Sequence, residues 1–202
     1  MPQQEVELKL KIEEDFHHDI AVELTRILGI SEFTETNLVN IYYDTLEMKL
    51  HKSNVALRVR EDNGVFIQTL KTRGSSINGF HQRSEWEWEI ESPKLNSRIL
   101  SNCNAWPPGI KVHHLLPIFQ TNFARKKTVL EWKGTTIELV IDRGYVISKE
   151  REQKIYEIEL EFIDGETSDL LELGEKIQRS LPASPSNISK AERGYELFML
   201  TA

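Results

Sequence analysis

Cysteine occurs once in these 202 residues, at Cys103, which excludes an internal disulfide and a zinc site built on cysteine; a free thiol is the reading. Long apolar runs are also missing. No stretch approaches the ~20 residues of a membrane-spanning helix, and the acidic, alternating N-terminus has no signal-peptide form, so a cytoplasmic protein away from membranes is expected. Basic charge is in deficit, with 25 Lys and Arg against 32 Asp and Glu, and a net charge of -7 argues against a nucleic-acid surface. There is no serine-nucleophile constellation, dinucleotide fingerprint or phosphate-binding glycine loop; Gly74 and Gly79 flank a loop without the required spacing. No repeat, low-complexity segment or linker divides the chain, and residues 1–202 are read as a single domain.

What the chain has in quantity is alternation. Over residues 5–12, Val6, Leu8, Leu10 and Ile12 fall on one side and Glu5, Glu7, Lys9 and Lys11 on the other, the period of a strand and not of a helix. Two carboxylates at i and i+2 on one strand face can share a hard divalent cation, and an ammonium two residues on can reach an anion held by that cation. The pattern recurs. Residues 55–61 set Val55, Leu57 and Val59 against Arg58 and Arg60; Asp62-Asn63-Gly64 is a hairpin turn that returns the chain along 65–71, ending at Lys71. Residues 82–91 oppose Trp86, Trp88 and Ile90 to Arg83, Glu85, Glu87 and Glu89. Residues 119–130 carry Arg125 in a strand context, 132–134 form another hairpin turn, and 136–141 set Ile137, Leu139 and Ile141 against Glu138 and Asp142. Residues 155–162 are the strongest case, with Tyr156, Ile158, Leu160 and Phe162 against Glu157, Glu159 and Glu161, three carboxylates that repel unless water or cations intervene. Residues 40–45 read as a further strand, and 73–79 and 182–186 as loops. Apolar spacing predicts helices over 18–29, ending at Gly29, over 169–181 and over 189–200; 93–117 reads as a short helix and a loop in which Trp106 packs.

About eight antiparallel strands, each with one apolar and one charged face, can close in two ways. A barrel with an apolar interior would leave the amphipathic helices and the tryptophans little to cover. The inverse puts the apolar faces outward under helices and lines a wet channel with charge. The expected fold is therefore α+β, an eight-stranded antiparallel β-barrel forming a charged tunnel with helices packed outside. Nine acids and at least six bases would then share one channel, tolerable only if they pair, stay wet or bind something carrying both signs. A divalent metal with a polyanion carries both. Oxygen ligands suit Mg2+ or Mn2+, and arginine forks suit phosphate oxygens.

These residues resemble the CYTH superfamily, the triphosphate tunnel metalloenzymes. Glu5-x-Glu7-x-Lys9 is similar to its E-x-E-x-K signature. The likeness continues in order through Asn40-Ile41-Tyr42-Tyr43, Leu57-Arg58-Val59-Arg60, Lys71, His81-Gln82-Arg83-x-Glu85, Arg125, Glu138 with Asp142, Glu157-x-Glu159-x-Glu161 and Ser189-Lys190-x-x-Arg193-Gly194-Tyr195. The resemblance implies that Glu5, Glu7, Glu159 and Glu161 hold metal, with Glu157 and Asp142 beside them. It implies that Lys9, Arg58, Arg60, Lys71, Arg83, Arg125 and Lys190 hold phosphate, with Glu85, Glu87 and Glu138 in support. Glu5, Glu7, Lys9, Arg58 and Arg60 would carry the catalysis. The His-Gln-Arg segment and the ending look most like the bacterial inorganic triphosphatases, which often carry a C-terminal CHAD domain; this chain departs by stopping at Ala202.

The implied activity is hydrolysis of inorganic triphosphate to diphosphate and phosphate. One cation would bridge carboxylates and phosphate chain, and a second would activate water. The rivals are thiamine or nucleoside triphosphatase or a class IV-type adenylate cyclase in the same tunnel, and a non-catalytic polyphosphate-binding module. The first three need a pocket for an organic group, of which the sequence shows no sign. The histidine pairs His17-His18 and His113-His114 cannot face one metal from a regular element, and His81 is read as structural.

Overall fold

Each alternating segment becomes a strand in the computed structural model, which describes residues 2–200 except 14, 15, 17 and 31. His17 and Ala202 thus lie outside the described residues. The strands are β1 (Gln3–Ile12), β2 (Thr34–Asp44), β3 (Val55–Asp62), β4 (Val65–Thr72), β5 (Ser75–Ile77), β6 (Phe80–Ile90), β7 (Leu116–Trp132), β8 (Thr135–Ser148), β9 (Arg151–Asp164) and β10 (Ala183–Pro185). The helices are α1 (Ile20–Leu28), α2 (Lys49–Lys52), α3 (Ser97–Ser101), α4 (Thr167–Ser180) and α5 (Lys190–Met199). Among the described residues no helix is long and apolar enough to cross a membrane.

The order β1-β9-β8-β7-β2-β3-β4-β6 closes on itself because β1 also pairs with β6, so eight antiparallel strands form a barrel; β5 and β10 extend its rim. Closure depends on β1 changing partner along one edge. Residues Gln3 to Leu8 pair with β6, and Leu10 to Ile12 with β10. At the junction Lys9 donates its backbone N–H to Gly79 and accepts one from Ser186.

The hairpin turns follow from local chemistry. Asn63-Gly64 and Asn78-Gly79 both take positive φ, as a two-residue turn matching strand twist requires. The first turn was expected. The second joins β5 to β6 within the segment expected to be a loop, and β10 likewise lies in the expected loop 182–186. Several strands also outrun their alternating cores. In β8 the pattern lapses at Gly144, where a Cβ would stand 2.1 Å from the Asn122 carbonyl oxygen.

The apolar faces point outward, as the pattern predicts. Leu8, Leu10, Ile137, Leu139, Ile141, Ile158 and Leu160 form one buried cluster with Leu24 of α1 and Leu170, Leu173 and Ile177 of α4. Asp19 caps α1 by accepting from Ala21 N–H, and Gly29 ends it in the left-handed region. Leu57, Leu70, Trp86 and Trp88 pack under the segment 95–115, where Trp106 donates to the Ile110 carbonyl. The inner face is not wholly charged. Tyr42, Phe119 and Phe123 form an apolar seat for Tyr195 and Phe198 of α5, whose Gly194 lies so close to Phe119 that a Cβ would meet the ring at 2.1 Å. Buried Asp44 accepts from the Leu50 and His51 amides and the Tyr195 hydroxyl, tying α2 and α5 to β2.

Leu8 tests the orientation. It is 3% exposed against α4, where a Cβ on Gly174 would stand 2.1 Å from its Cδ2. Leu8→Ala is expected to lower stability by about 2–5 kcal/mol in denaturant titrations. An unchanged midpoint would mean that this face of β1 is not the packed one.

Candidate active site

The inward faces enclose a cavity of about 830 Å3 lined by residues of all eight barrel strands, charged on every one but β2, and by α5. Strand register builds its acidic wall. Glu7 lies opposite Glu161 and Lys9 opposite Glu159, so the alternating carboxylates of β1 and β9 share one face. Glu7, Glu159 and Glu161 each offer an oxygen within 4.8 Å of the others'.

A second acidic group, Asp142, Glu157 and Glu159, has the same spacing and lies deeper. Glu159 belongs to both. Here the cations that the β9 carboxylates need are side chains of the protein itself. Lys190 Nζ stands 2.6 Å from Asp142 and 3.0 Å from Glu159 and also donates to Glu157. Arg193 donates to Glu157 as well. Arg125 forks onto Asp142 at 2.8 and 2.7 Å and reaches Glu159 at 2.9 Å. Lys9 joins Glu7 and Glu159, each at 3.1 Å. Burial raises the Glu159 pKa, but Lys190, Lys9 and Arg125 hold it well below the carboxylate range.

Glu5 sits outside both groups, clasped by Arg83 at 2.5 and 3.2 Å and by Lys71 at 3.0 Å. Lys71 also meets Glu85 at 2.9 Å, Arg58 approaches Glu85 and Glu87 at 3.9 and 3.8 Å, and Glu138 pairs with Lys127 at 3.1 Å. Arg60 is different. Its Nε donates to Asn40 Oδ1 at 3.0 Å, and among the described residues it has no carboxylate within 4.0 Å. Burial and the like charges of Arg58 and Arg125 lower its pKa to about 10, so it is charged at neutral pH yet uncompensated. An anion is what that position wants.

The structure thus brings Glu5, Glu7, Lys9, Arg58, Arg60, Lys71, Arg83, Glu85, Glu87, Arg125, Glu138, Glu159, Glu161 and Lys190 to one cavity. Asp142 and Glu157 do not line it; they are buried beneath, inside the ion-pair network. Lys190, expected to hold phosphate, spends its donors on carboxylates. Three residues went without a role in the sequence reading. Lys127 has a legible signal, two residues after Arg125 on the same strand face. Arg193 stands one helical turn after Lys190. Tyr42 is a buried phenol whose pKa burial raises and whose neighbours Arg58 and Lys71 lower on balance; nothing in its local sequence separates it from Tyr43. His81 has a structural place, its Nε2 2.8 Å from the Ser186 carbonyl oxygen, and burial together with Lys9 lowers its pKa.

The donor set fits a hard divalent cation, since both acidic groups are made of carboxylate oxygens. In the shallower group Glu161 is the member left under-compensated. Among the described residues it has a single cation contact, Arg125 at 3.8 Å. Burial, with Glu159, Glu7 and Glu5 adding to it against Arg125, pushes its pKa up to about 7.

The sequence pattern of the CYTH domain matches residues 3–195. The chain is 35% identical over 201 residues to the inorganic triphosphatase of Haemophilus influenzae, covering 96% of this chain and 55% of that protein, so it spans about half the length of that relative. Among solved structures, a putative adenylyl cyclase from Hippeastrum, described as having a dominant triphosphatase activity, superposes with a TM-score of 0.63 at 22% identity, covering 98% of this chain and 96% of that one. A putative adenylate cyclase from Bacillus halodurans gives 0.61 at 20% identity, covering 95% and 97%. At these identities the structural likeness concerns the fold.

The raised Glu161 pKa fixes a sign. In metal-free protein between about pH 4.5 and 7 the folded state keeps this proton and the unfolded state does not, so the stability Glu161 contributes below that window is lost as pH rises through it. Melts of parent and Glu161→Gln from pH 4.5 to 8 should show the parent losing ground to the variant up to about pH 7 and no further. A difference independent of pH would mean that this carboxyl titrates normally.

Proposed function

The chain belongs to the CYTH family, and from that premise we propose that it hydrolyses inorganic triphosphate to diphosphate and phosphate in its tunnel, with Mg2+ or Mn2+ held by carboxylates. The observation that carries this reading is the presence of both an anion position and a cation position in one cavity. Among the described residues Arg60 has no carboxylate within 4.0 Å and lies near Arg58 and Arg125, while Glu161, whose cation contact is Arg125 at 3.8 Å, shares an acidic group with Glu7 and Glu159. A simple anion receptor gains nothing from carboxylates beside its ligand, and a simple metal site gains nothing from arginines.

Glu7, Glu159 and Glu161 would hold the ion, with Glu5 beside them. When bound, a divalent ion supplies charge neutralisation along the phosphate chain and acidifies water for attack at phosphorus. Arg58, Arg60 and Arg125 orient the phosphoryl oxygens and stabilise the charge that grows on them and on the leaving diphosphate. Lys71 and Arg83, anchored on Glu5, extend this positive wall toward the rest of the substrate. Ion binding would displace the proton that Glu161, with its pKa raised to about 7 in the metal-free protein, otherwise keeps. Residues 1–202 act here as one catalytic domain, placed in the cytoplasm, where triphosphate is the partner and neither nucleic acid nor membrane is needed.

Two variants test the two halves of the site. Glu7→Gln should lower turnover about 100-fold or more with folding intact, because it removes a charge and keeps the shape. Arg60→Ala should lower kcat/KM for triphosphate by roughly two orders of magnitude, since a charge-assisted contact in a secluded site is worth about 2–4 kcal/mol. Parent-like kinetics in either would remove that residue from the site. The reading as a whole rests on a panel of triphosphate, ATP and thiamine triphosphate with Mg2+ and Mn2+. Faster turnover of either organic substrate would overturn the assignment, as would full activity after chelation.

A further inference from the structure

The two acidic groups share Glu159, yet the rest of the protein treats them differently. Around Glu7, Glu159 and Glu161 Lys9 meets the first two at 3.1 Å each, and among the described residues Glu161 has only its 3.8 Å contact with Arg125. The deeper group is filled from within. Lys190 Nζ is bound at once to Asp142, Glu157 and Glu159, at 2.6 Å from the first and 3.0 Å from the last. An ammonium has three protons; two are donated to Glu157 and Glu159, and Asp142 adds an ion pair. Carboxylate oxygens therefore surround one small cation, and the cation is part of the chain.

We infer that Lys190 is a built-in cation that occupies the deeper acidic group, so that before substrate binds the tunnel takes up one divalent ion, at Glu7, Glu159 and Glu161, and not two. The inference rests on the metal-dependent reading above. Three anchors keep the ammonium in place. Ser189 and Glu192 form a capping box that makes Lys190 the first residue of α5. Gly194 lets that helix lie against Phe119, and Tyr195 bonds buried Asp44. Arg193, one turn on, takes the other oxygen of Glu157. A divalent ion entering this group would have to expel an ammonium whose helix is fixed at each of these points, and it would meet Arg193 and Arg125 still in contact with its ligands. In the shallower group Lys9 spans Glu7 and Glu159 at 3.1 Å each, but among the described residues no cation there contacts all three carboxylates, and Glu161 is left open to an ion.

The test counts ions. Mn2+ alone, without phosphate, is titrated into chelator-treated parent, Lys190→Gln and Lys190→Arg, with bound and free Mn2+ measured by calorimetry and electron paramagnetic resonance. The parent is expected to bind one ion per chain, Lys190→Gln two, and Lys190→Arg, which keeps the charge, one. Melting in metal-free buffer should be lower for Lys190→Gln than for the parent, and Mn2+ should raise it more than it raises the parent. Two ions in the parent would overturn the built-in cation and leave the metal reading standing, and so would a folded Lys190→Gln variant that binds only one. No ion in the parent would sink the metal reading and this inference with it. If Lys190→Gln does not fold, the parent's own count decides: one ion supports the inference and two overturn it.

Discussion

Enclosing many ionised groups in one barrel is possible only if each finds an opposite charge, and the rest of this structure depends on that constraint. A buried carboxylate without a partner costs several kcal/mol and would shed its charge. Here Glu159 and Asp142 keep theirs through Lys190, Arg125 and Lys9, and Glu5 keeps its own through Lys71 and Arg83. The pairing is nearly complete. Among the described residues it is weakest at Arg60, with no carboxylate within 4.0 Å, and at Arg58 and Glu161, whose charge contacts are 3.8 Å or longer; these are where a ligand has something to offer.

The same constraint explains the architecture around the tunnel. With charge inside, the apolar faces must be covered from outside, and α1, α4 and the segment 95–115 do this over separate arcs of the barrel. Helix α5 has another task. It brings two cations to the deep acidic group and is seated on aromatic side chains of the inner face, so its position is coupled to the electrostatics of the site. The expectation that the β9 carboxylates repel one another is met by residues more than 25 positions away in the chain. Removing one of these carboxylates would strand its cations, so neutralising Glu159 is expected to cost stability and not to relieve strain.

The tunnel presents both signs of charge within one cavity. Catalysis by such a wall consists of positioning and of charges that need no reorganisation as the reaction proceeds. Arg60 illustrates the arrangement. It is held by Asn40, which is held by Thr121, so the guanidinium is oriented before any ligand arrives.

How much of this was legible depended on the range of the interaction. Strand identity, the inward charge, the turns at Asn63-Gly64 and 132–134, and the outer core were all present in the sequence, because period-2 alternation and turn chemistry are local and each strand repeats the same choice. Asn78-Gly79 carried the same turn signal, but strand β5 before it has only three residues and too little alternation to register. What only the tertiary structure decided is which charge meets which. Register across β1 and β9, the change of partner at Lys9, and the arrival of α5 sort the cavity-lining charges into filled and unfilled positions. They set Lys190 among the carboxylates of β8 and β9 and bury Asp142 and Glu157 beneath the cavity. Face and period are properties of neighbouring residues; compensation is a sum over groups that folding brings together from distant parts of the chain.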